Sequence, residues 1–223
     1  MTRLLRVDLH LHTRASHDCL SDPERVLERA RRVGLDRIAV TDHNRISGAL
    51  GMRELDAERV IVGEEIKTAE GADVIGLFLT ECVPKGVPAR EACERIRGQG
   101  GVVYAPHPFD HKGLGERLLD ELAGLIDVVE VHNARLWRRG LNQRASEWAR
   151  ARAKPVGAGS DAHTLREIGR GVIAIPPFKP ERESFLAAIH RAQVETRART
   201  TPFCHLWSRW AQVRKKLLPH PRS

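Results

Sequence analysis

Two histidines near the N-terminus, His10 and His12, have the spacing of paired metal ligands. They lie in the run VDLHLHT at positions 7–13. Because side chains alternate along a β-strand, both imidazoles would project from one face, with Leu9 and Leu11 on the other. A single His-x-His pair often arises by chance. It predicts a metal site only if other strands supply further ligands.

Further metal-capable side chains follow at the ends of later apolar runs. Five runs, RIAVTDHN, VIVGEEIKT, VVYAPHP, VVEVHN and PVGAGSDAH, each carry His, Asp or Glu at or near their final residues. One more acidic residue comes shortly after the first run. The full set of candidate ligands is His10, His12, Asp18, His43, Glu65, His107, His132, Asp161 and His163.

Helical segments separate most of these runs, so the chain reads as alternating strands and helices. Strands are predicted near 7–13, 37–44, 60–68, 73–79, 102–108, 128–133, 155–163 and 171–175. Helices are predicted near 21–34, 89–99, 116–125, 141–153 and 181–192. The strands are apolar on both faces, which is typical of a parallel α/β sheet or barrel. In such barrels the active site forms at the C-terminal ends of the strands, where the candidate ligands lie.

The ligand types and their number restrict the chemistry. Nitrogen and carboxylate ligands without thiolates suit Zn, Mn or Fe. The set exceeds what a single ion needs, so two or three divalent ions sharing carboxylates are expected, an arrangement typical of phosphoester hydrolysis. The four cysteines show no CxxC spacing, and no signal peptide or membrane span is evident, which favours a reducing cytoplasm.

Seven segments together resemble one known family. They are DLHLHT (8–13), Ser16-x-Asp18, TDHN (41–44), GEEIKT (63–68), APHPF (105–109), EVHNAR (130–135) and GSDAH (159–163). In order and spacing they resemble the polymerase and histidinol phosphatase (PHP) superfamily of metal-dependent phosphoesterases. The resemblance implies a distorted TIM-like (β/α)7 barrel with two or three ions on its C-terminal face.

The resemblance also distributes the ligands among the ions. It implies a first site formed by His10, His12, Glu65 and Asp161. It implies a second site formed by Asp18, His43 and His163, and a middle site formed by Glu65 and His107, with Glu65 as the bridge. His132 lies at a strand end nearby, and whether it is a ligand or orients one stays open.

The same chemistry implies metal-assisted hydrolysis. A hydroxide shared by two ions would attack phosphorus in line. Either His163 or His12 would protonate the leaving oxygen, and the sequence does not choose between them. Arg135 and Arg170 could clamp a phosphate through paired N–H groups.

The net charge of +8 belongs to the C-terminal tail. Seven Lys and Arg and no acidic residue follow Glu195, which leaves 30 basic against 29 acidic residues in positions 1–195. We therefore divide the chain into a phosphoesterase domain, 1–195, and a basic, Trp-containing tail, 196–223. In the tail, one helical face would carry Leu206, Trp210, Val213 and Leu217. We expect this face to pack on the barrel; a peripheral membrane contact and a nucleic-acid contact are the alternatives.

The expected function is hydrolysis of a phosphate ester of a small metabolite or nucleotide. The first alternative is a nuclease that trims oligonucleotides, with the tail contacting the backbone. The second is a catalytically weak metal-binding regulatory module. The sequence leaves the substrate, the metal and the oligomeric state open.

Overall fold

The computed structural model describes residues 3–138, 140–196 and 204–217. In these residues there are nine strands: β1 (Leu5–Leu11), β2 (Arg37–Val40), β3 (Val60–Lys67), β4 (Asp73–Leu77), β5 (Val102–Ala105), β6 (Val128–Asn133), β7 (Val156–Gly159), β8 (Gly171–Ile175) and β9 (Gln193–Thr196). The helices are α1 (Pro23–Arg32), α2 (Ser47–Leu55), α3 (Ala89–Gly98), α4 (Gly115–Glu121), α5 (Leu141–Ala151), α6 (Arg182–Ile189) and α7 (Cys204–Leu217). None of these helices is both long and apolar enough to cross a membrane.

The strands form one sheet in the order β7-β6-β5-β4-β3-β2-β1-β8-β9. The β1–β2, β2–β3, β5–β6 and β6–β7 pairs are parallel. β4 runs antiparallel to both of its neighbours, β8 runs antiparallel to β1, and β9 runs antiparallel to β8. The sheet is therefore mixed: four of its eight strand pairs are parallel as predicted, and the four pairs that involve β4, β8 and β9 are antiparallel.

The sheet curls into a nearly closed barrel because β1 contacts strands on two sides. Its N-terminal half pairs with β8, where Leu5 lies opposite Ile175. Its C-terminal end reaches the segment after β7, where Leu11 forms a bridge with Ala162 and the His12 N–H donates to the Ala162 carbonyl at 3.0 Å. The predicted distorted barrel is confirmed, with β1–β7 around it and β8 and β9 extending the sheet.

The prediction of an entirely parallel sheet was wrong at β4, and the reason is visible in the sequence. Only residues 68–72 separate β3 from β4. A parallel crossover needs a dozen or more residues, so a connection this short makes a hairpin. The sequence reading also omitted α2 and β9.

Strict alternation of side chains was wrong in β1. Leu9 belongs to the inner apolar cluster with Tyr104, whereas Leu11 belongs to the outer cluster beneath helices α1–α5. The cause is a shift in the β1–β2 register between Asp8 and Leu11. Such irregularities re-aim side chains near active sites.

The tail helix α7 contacts the barrel through a different face from the one predicted. Cys204, Ser208 and Ala211 are the buried residues of this helix, with at most 8% exposed. The face expected to pack is instead in solvent: Leu206, Trp210, Val213 and Leu217 are 49–73% exposed. Three of the basic tail residues, at positions 197, 199 and 222, lie outside the described residues, so the proposed domain division stays a prediction.

Candidate metal centre

The first pair of ligands meets as the sequence predicted. The Nε2 atoms of His10 and His12 lie 3.2 Å apart, and both side chains are buried. Asp161 Oδ1 lies 3.8 Å from the first Nε2 and 3.3 Å from the second. Two imidazole lone pairs cannot face each other at this distance without a proton or a cation between them. The three side chains form one of the donor groups that could hold an ion.

Glu65 is the hub of the centre. Its Oε2 lies 3.6 Å from His10 Nε2, 3.4 Å from His12 Nε2 and 2.9 Å from His43 Nδ1. Its Oε1 lies 3.0 Å from His107 Nε2. Although buried, Oε2 has no hydrogen-bond partner among the described residues. A buried carboxylate oxygen of this kind is costly in isolation, and the surrounding donors fit one that bridges cations.

A third group lies on the other side of Glu65. Asp18 Oδ2 is 3.5 Å from His43 Nε2 and 3.2 Å from His163 Nε2. Asp18 Oδ1 and His43 Nε2 are buried without hydrogen-bond partners in the described residues. Exposed His17 lies 4.0 Å from the same Asp18 oxygen. The donor atoms of His17, Asp18 and His43 lie within 4.8 Å of one another, and the same holds for those of His12, His43 and His163.

All the predicted ligands except His132 come together in this way. His132 is buried in β6, its Nδ1 lies 3.4 Å from Asn142 Nδ2, and it belongs to none of the donor groups within the described residues. Arg170 is half-buried outside the cavity lining, and its backbone N–H donates to the Glu167 carbonyl. The donor chemistry of the remaining set fits hard or borderline divalent ions such as Zn, Mn or Fe.

The backbone at the centre has an unusual conformation. Asn44, His107 and Asp161 have φ values of 53°, 27° and 50°. Positive φ is unfavourable for residues other than glycine and persists only where the surrounding structure compensates for it. All three positions lie at or beside a ligand, so this strain helps to aim the ligands.

Burial and neighbouring charges shift the pKa values of the histidines in different directions. Burial opposes charge on His43, but Glu65 and Asp18 outweigh it and raise its pKa to about 10. Burial also opposes charge on His10, yet Glu130 and the other carboxylates raise its pKa. His12 behaves in the opposite way, since burial together with His163 and His43 lowers its pKa to about 3.

Glu130 in β6 supports the centre and was missed in the sequence. It is fully buried, and its Oε1 lies 3.1 Å from His10 Nδ1 and accepts from the Tyr104 hydroxyl at 3.2 Å. Its Oε2 accepts from the His107 N–H at 2.7 Å and from Asn133 Nδ2 at 2.9 Å. A carboxylate on Nδ1 leaves Nε2 with its lone pair toward the metal side. The sequence contained a signal for this role, because an acidic residue is rare within an otherwise apolar, buried strand.

Replacing Glu130 with Gln should weaken metal binding while keeping the fold. We expect roughly a 10–100-fold loss of affinity, since His10 exchanges a charged acceptor that fixes its tautomer for a neutral amide. The measurement is metal competition with a chelator at constant pH. An unchanged affinity would show that His10 is oriented by the strand alone.

Gly159 makes the close approach of these groups possible. A Cβ at this position would lie 2.3 Å from His10 Cβ and 2.6 Å from Glu130 Oε1. No side chain fits at such distances, so the glycine of the GSDAH segment keeps β7 close to β1 and β6. The contact between His10 and Glu130 depends on it.

Arg135 lies at the junction between the centre and α7. Only 5% of its side chain is exposed. Its Nη1 contacts His163 Nδ1 and donates to the Asp161 carbonyl at 3.4 Å, and its Nη2 donates to Ser208 Oγ at 2.9 Å. These partners occupy most of the donors that the phosphate-clamp prediction needed. The geometry favours a positioning role for Arg135.

A cavity of about 560 Å³ opens over the centre. Ligand side chains form its floor, and α7 contributes part of its wall. Cationic residues from three separate segments also line it: Lys112, Arg138 and Arg209. Burial opposes the Lys112 charge, but Glu65, Asp73, Asp161 and Asp18 together raise its pKa, so this ammonium is charged at neutral pH.

The chain is similar in sequence to known families and proteins. Residues 8–104 match the PHP domain and residues 139–194 match the PHP-associated domain. An uncharacterized protein from Methanocaldococcus jannaschii is 39% identical over 145 residues, which cover 58% of this chain and 82% of that protein.

Solved structures share the fold at low sequence identity. PsfC from Pseudomonas syringae PB-5123 is 20% identical, with a TM-score of 0.67 over 98% of this chain and 100% of that one. The lesion-specific endonuclease Q from Pyrococcus furiosus is 16% identical, with a TM-score of 0.66 over 89% of this chain and 60% of that one.

Proposed function

Because the chain belongs to the PHP family of metal-dependent phosphoesterases, we propose that it hydrolyses phosphate esters of a small metabolite or nucleotide. The observation that carries the proposal is Glu65, whose buried carboxylate lies among the nitrogens of four histidines. That arrangement supports a centre of two or three divalent ions.

We assign some residues to binding the ions and others to positioning the binding residues. When bound, the ions supply an activated water and neutralise charge on the phosphoryl oxygens. His10, His12, Glu65 and Asp161 would hold one ion, Asp18, His43 and His163 a second, and Glu65 with His107 the middle one. Glu130 and Arg135 keep the rings of His10 and His163 in place.

His12 is a poor match for the proton donor to the leaving oxygen. Burial and two neighbouring imidazoles lower the pKa of His12 to about 3, so it carries no spare proton near neutral pH. His163 lines the cavity, whereas His12 is not among its lining residues.

Substrate anions would be held by cationic side chains at the mouth of the cavity, and not by Arg135 and Arg170 as the sequence predicted. Arg209 reaches the cavity from α7, opposite Lys112 and Arg138 on the loops after β5 and β6. No ion pair of these three side chains is found among the described residues. They are therefore available to a phosphate.

Replacing Arg209 with Gln should raise KM by about ten- to a hundredfold and leave kcat nearly unchanged. The reason is that one charge-assisted hydrogen bond to the ground-state substrate, worth about 1.5–3 kcal/mol, would be lost. Steady-state kinetics on the best substrate measure both constants. Arg95→Gln is the matched control, because Arg95 forms an exposed ion pair with Glu91 on α3, away from the cavity. An equal rise in KM for the two variants would contradict this role.

The experiment that tests the function is a panel of phosphorylated metabolites, with Mn, Zn and Fe supplied separately to the metal-stripped protein. We expect release of inorganic phosphate from at least one class, with metal analysis giving two or more ions per chain. A protein that holds these ions and cleaves neither monoesters, diesters nor oligonucleotides would contradict the proposal and favour a metal-binding regulatory module.

A nuclease is the second candidate. Its support is the set of three cationic side chains around an open cavity, which would suit a polynucleotide backbone. Adding single-stranded and abasic-site duplex oligonucleotides to the panel distinguishes the two. Cleavage of the oligonucleotides with a kcat/KM above that of every monoester would favour the nuclease.

A further inference from the structure

Helix α7 has two different faces. The inner face, which lies against the barrel, is held there by polar contacts. Ser208 accepts from Arg135, and the Lys215 ammonium donates to the Arg14 carbonyl at 2.6 Å and also contacts the Ser16 carbonyl. Ala211 is buried between these two contacts. This anchoring holds the helix in one orientation on the barrel.

The outer face is apolar and lies in solvent. Large hydrophobic side chains follow one another along it with 49–73% of their surface exposed: Leu206, Trp207, Trp210, Val213 and Leu217. Elsewhere in the described residues, such exposure of a large hydrophobic side chain occurs only at two scattered positions, Leu55 and Trp137, with Leu4 at 37%. A continuous apolar stripe along a whole helix is unusual for a surface facing water.

Cationic side chains flank the stripe. At 100° per residue, Arg209 and Lys216 lie on one side of it, and Arg214 lies near its other edge, between Trp210 and Trp207. The Arg214 guanidinium lies 5.3 Å from the centre of the Trp210 ring. The helix contains no acidic residue. Two copies of this face would therefore bring like charges together, which disfavours self-association.

We propose that the outer face of α7 binds the surface of an anionic phospholipid bilayer. Aliphatic and indole side chains would enter the boundary between headgroups and acyl chains, while the flanking Lys and Arg contact lipid phosphates. Trp is the side chain that favours this boundary. A polynucleotide would stack on Trp207 and Trp210 but leave Leu206, Val213 and Leu217 in water, so the aliphatic residues favour lipid.

The site and the surface are linked by geometry. Arg209 and Gln212 line the cavity from the same helix whose outer face carries the stripe. Binding at a bilayer would hold the cavity mouth close to the lipid headgroups. The proposal does not depend on the catalytic activity, because it concerns side chains that touch no metal ligand.

The test is co-flotation of the full chain with vesicles. We expect binding to vesicles of phosphatidylcholine with 30% phosphatidylglycerol and at least about tenfold weaker binding to phosphatidylcholine alone. Val213→Glu should lower the affinity roughly tenfold or more. Leu55→Glu is the matched control, because Leu55 and Val213 are both 54% exposed but Leu55 lies on α2.

A second variant tests the charges. Arg214→Gln combined with Lys216→Gln should weaken binding to the anionic vesicles by roughly thirtyfold, and added salt should weaken the wild-type protein similarly. Absence of vesicle binding, equal binding to neutral and anionic vesicles, or equal losses for Val213→Glu and Leu55→Glu would overturn the proposal. So would a wild-type dimer that dissociates with Val213→Glu, or an oligonucleotide that binds in preference to the anionic vesicles.

Discussion

Replacing Glu65 with Gln should remove at least one bound ion per chain and lower kcat/KM by about a thousandfold or more. The amide cannot bridge two cations, and its NH₂ group would face the imidazole nitrogens of His10, His12 and His43. Loss of an orienting partner alone usually costs roughly 10–100-fold, so loss of the bridge should exceed that range. Metal analysis of the purified variant and steady-state kinetics measure the two effects.

The neighbouring acid provides a matched control. Glu64 is equally buried, but it points away from the centre and accepts from the Val83 N–H at 2.8 Å and from the Cys82 thiol at 3.0 Å. Glu64→Gln should therefore keep the metal content and kcat/KM near the wild-type values. A comparable loss in both variants would show that Glu65 acts through the general stability of β3 and not as a ligand.

Metal affinity should rise steeply with pH between about 7 and 9. In the metal-free centre the pKa of His43 is raised to about 10 and that of His10 well above its usual range, so these two imidazoles hold protons near neutral pH; the pKa of His107 is raised as well. An ion must displace those protons to bind. Each displaced proton steepens the dependence by about tenfold per pH unit, and affinity increases as the pH rises.

Calorimetry in two buffers with different ionisation enthalpies counts the released protons. We expect at least one proton per ion at pH 7.5, and a smaller number for Glu130→Gln because Glu130 supports the charged form of His10. Chelator competition at several pH values gives the slope independently. An affinity that is flat from pH 7 to 9 would mean that the histidines are neutral before the ion arrives.

The candidate ligands could be found in the sequence because all of them except Asp18 stand at or near the end of an apolar run. Parallel strands bring their C-terminal ends to one edge of a barrel, so residues as distant as His12 and His163 meet there. His132 satisfies the same rule but lies apart from the donor groups. A strand end specifies the edge of the sheet, whereas the direction of the side chain depends on register, and the β6–β7 register shifts between Glu130 and His132.

The face of α7 could not be read from hydrophobic spacing. The pattern located the amphipathic helix but assigned burial to its apolar side. In the structure the buried side carries Ser208 and Lys215, because Arg135 and backbone carbonyls satisfy their polar groups. Those partners are 73 and about 200 positions away in the chain, and nothing in the local sequence identifies them.

The double contact of β1 has a consequence for how the protein is made. β1, which carries His10 and leads into His12, is synthesised before β7 and β8. It nevertheless pairs with β8 and with the segment that follows β7. Ser160 and His10, whose groups meet there, are 150 positions apart. The pairing of β1 with β8 and with the segment after β7 therefore cannot form until most of the chain has been synthesised. Contacts of such long range form slowly. We therefore expect the complete donor set of the metal centre to form only late in folding, when the barrel closes.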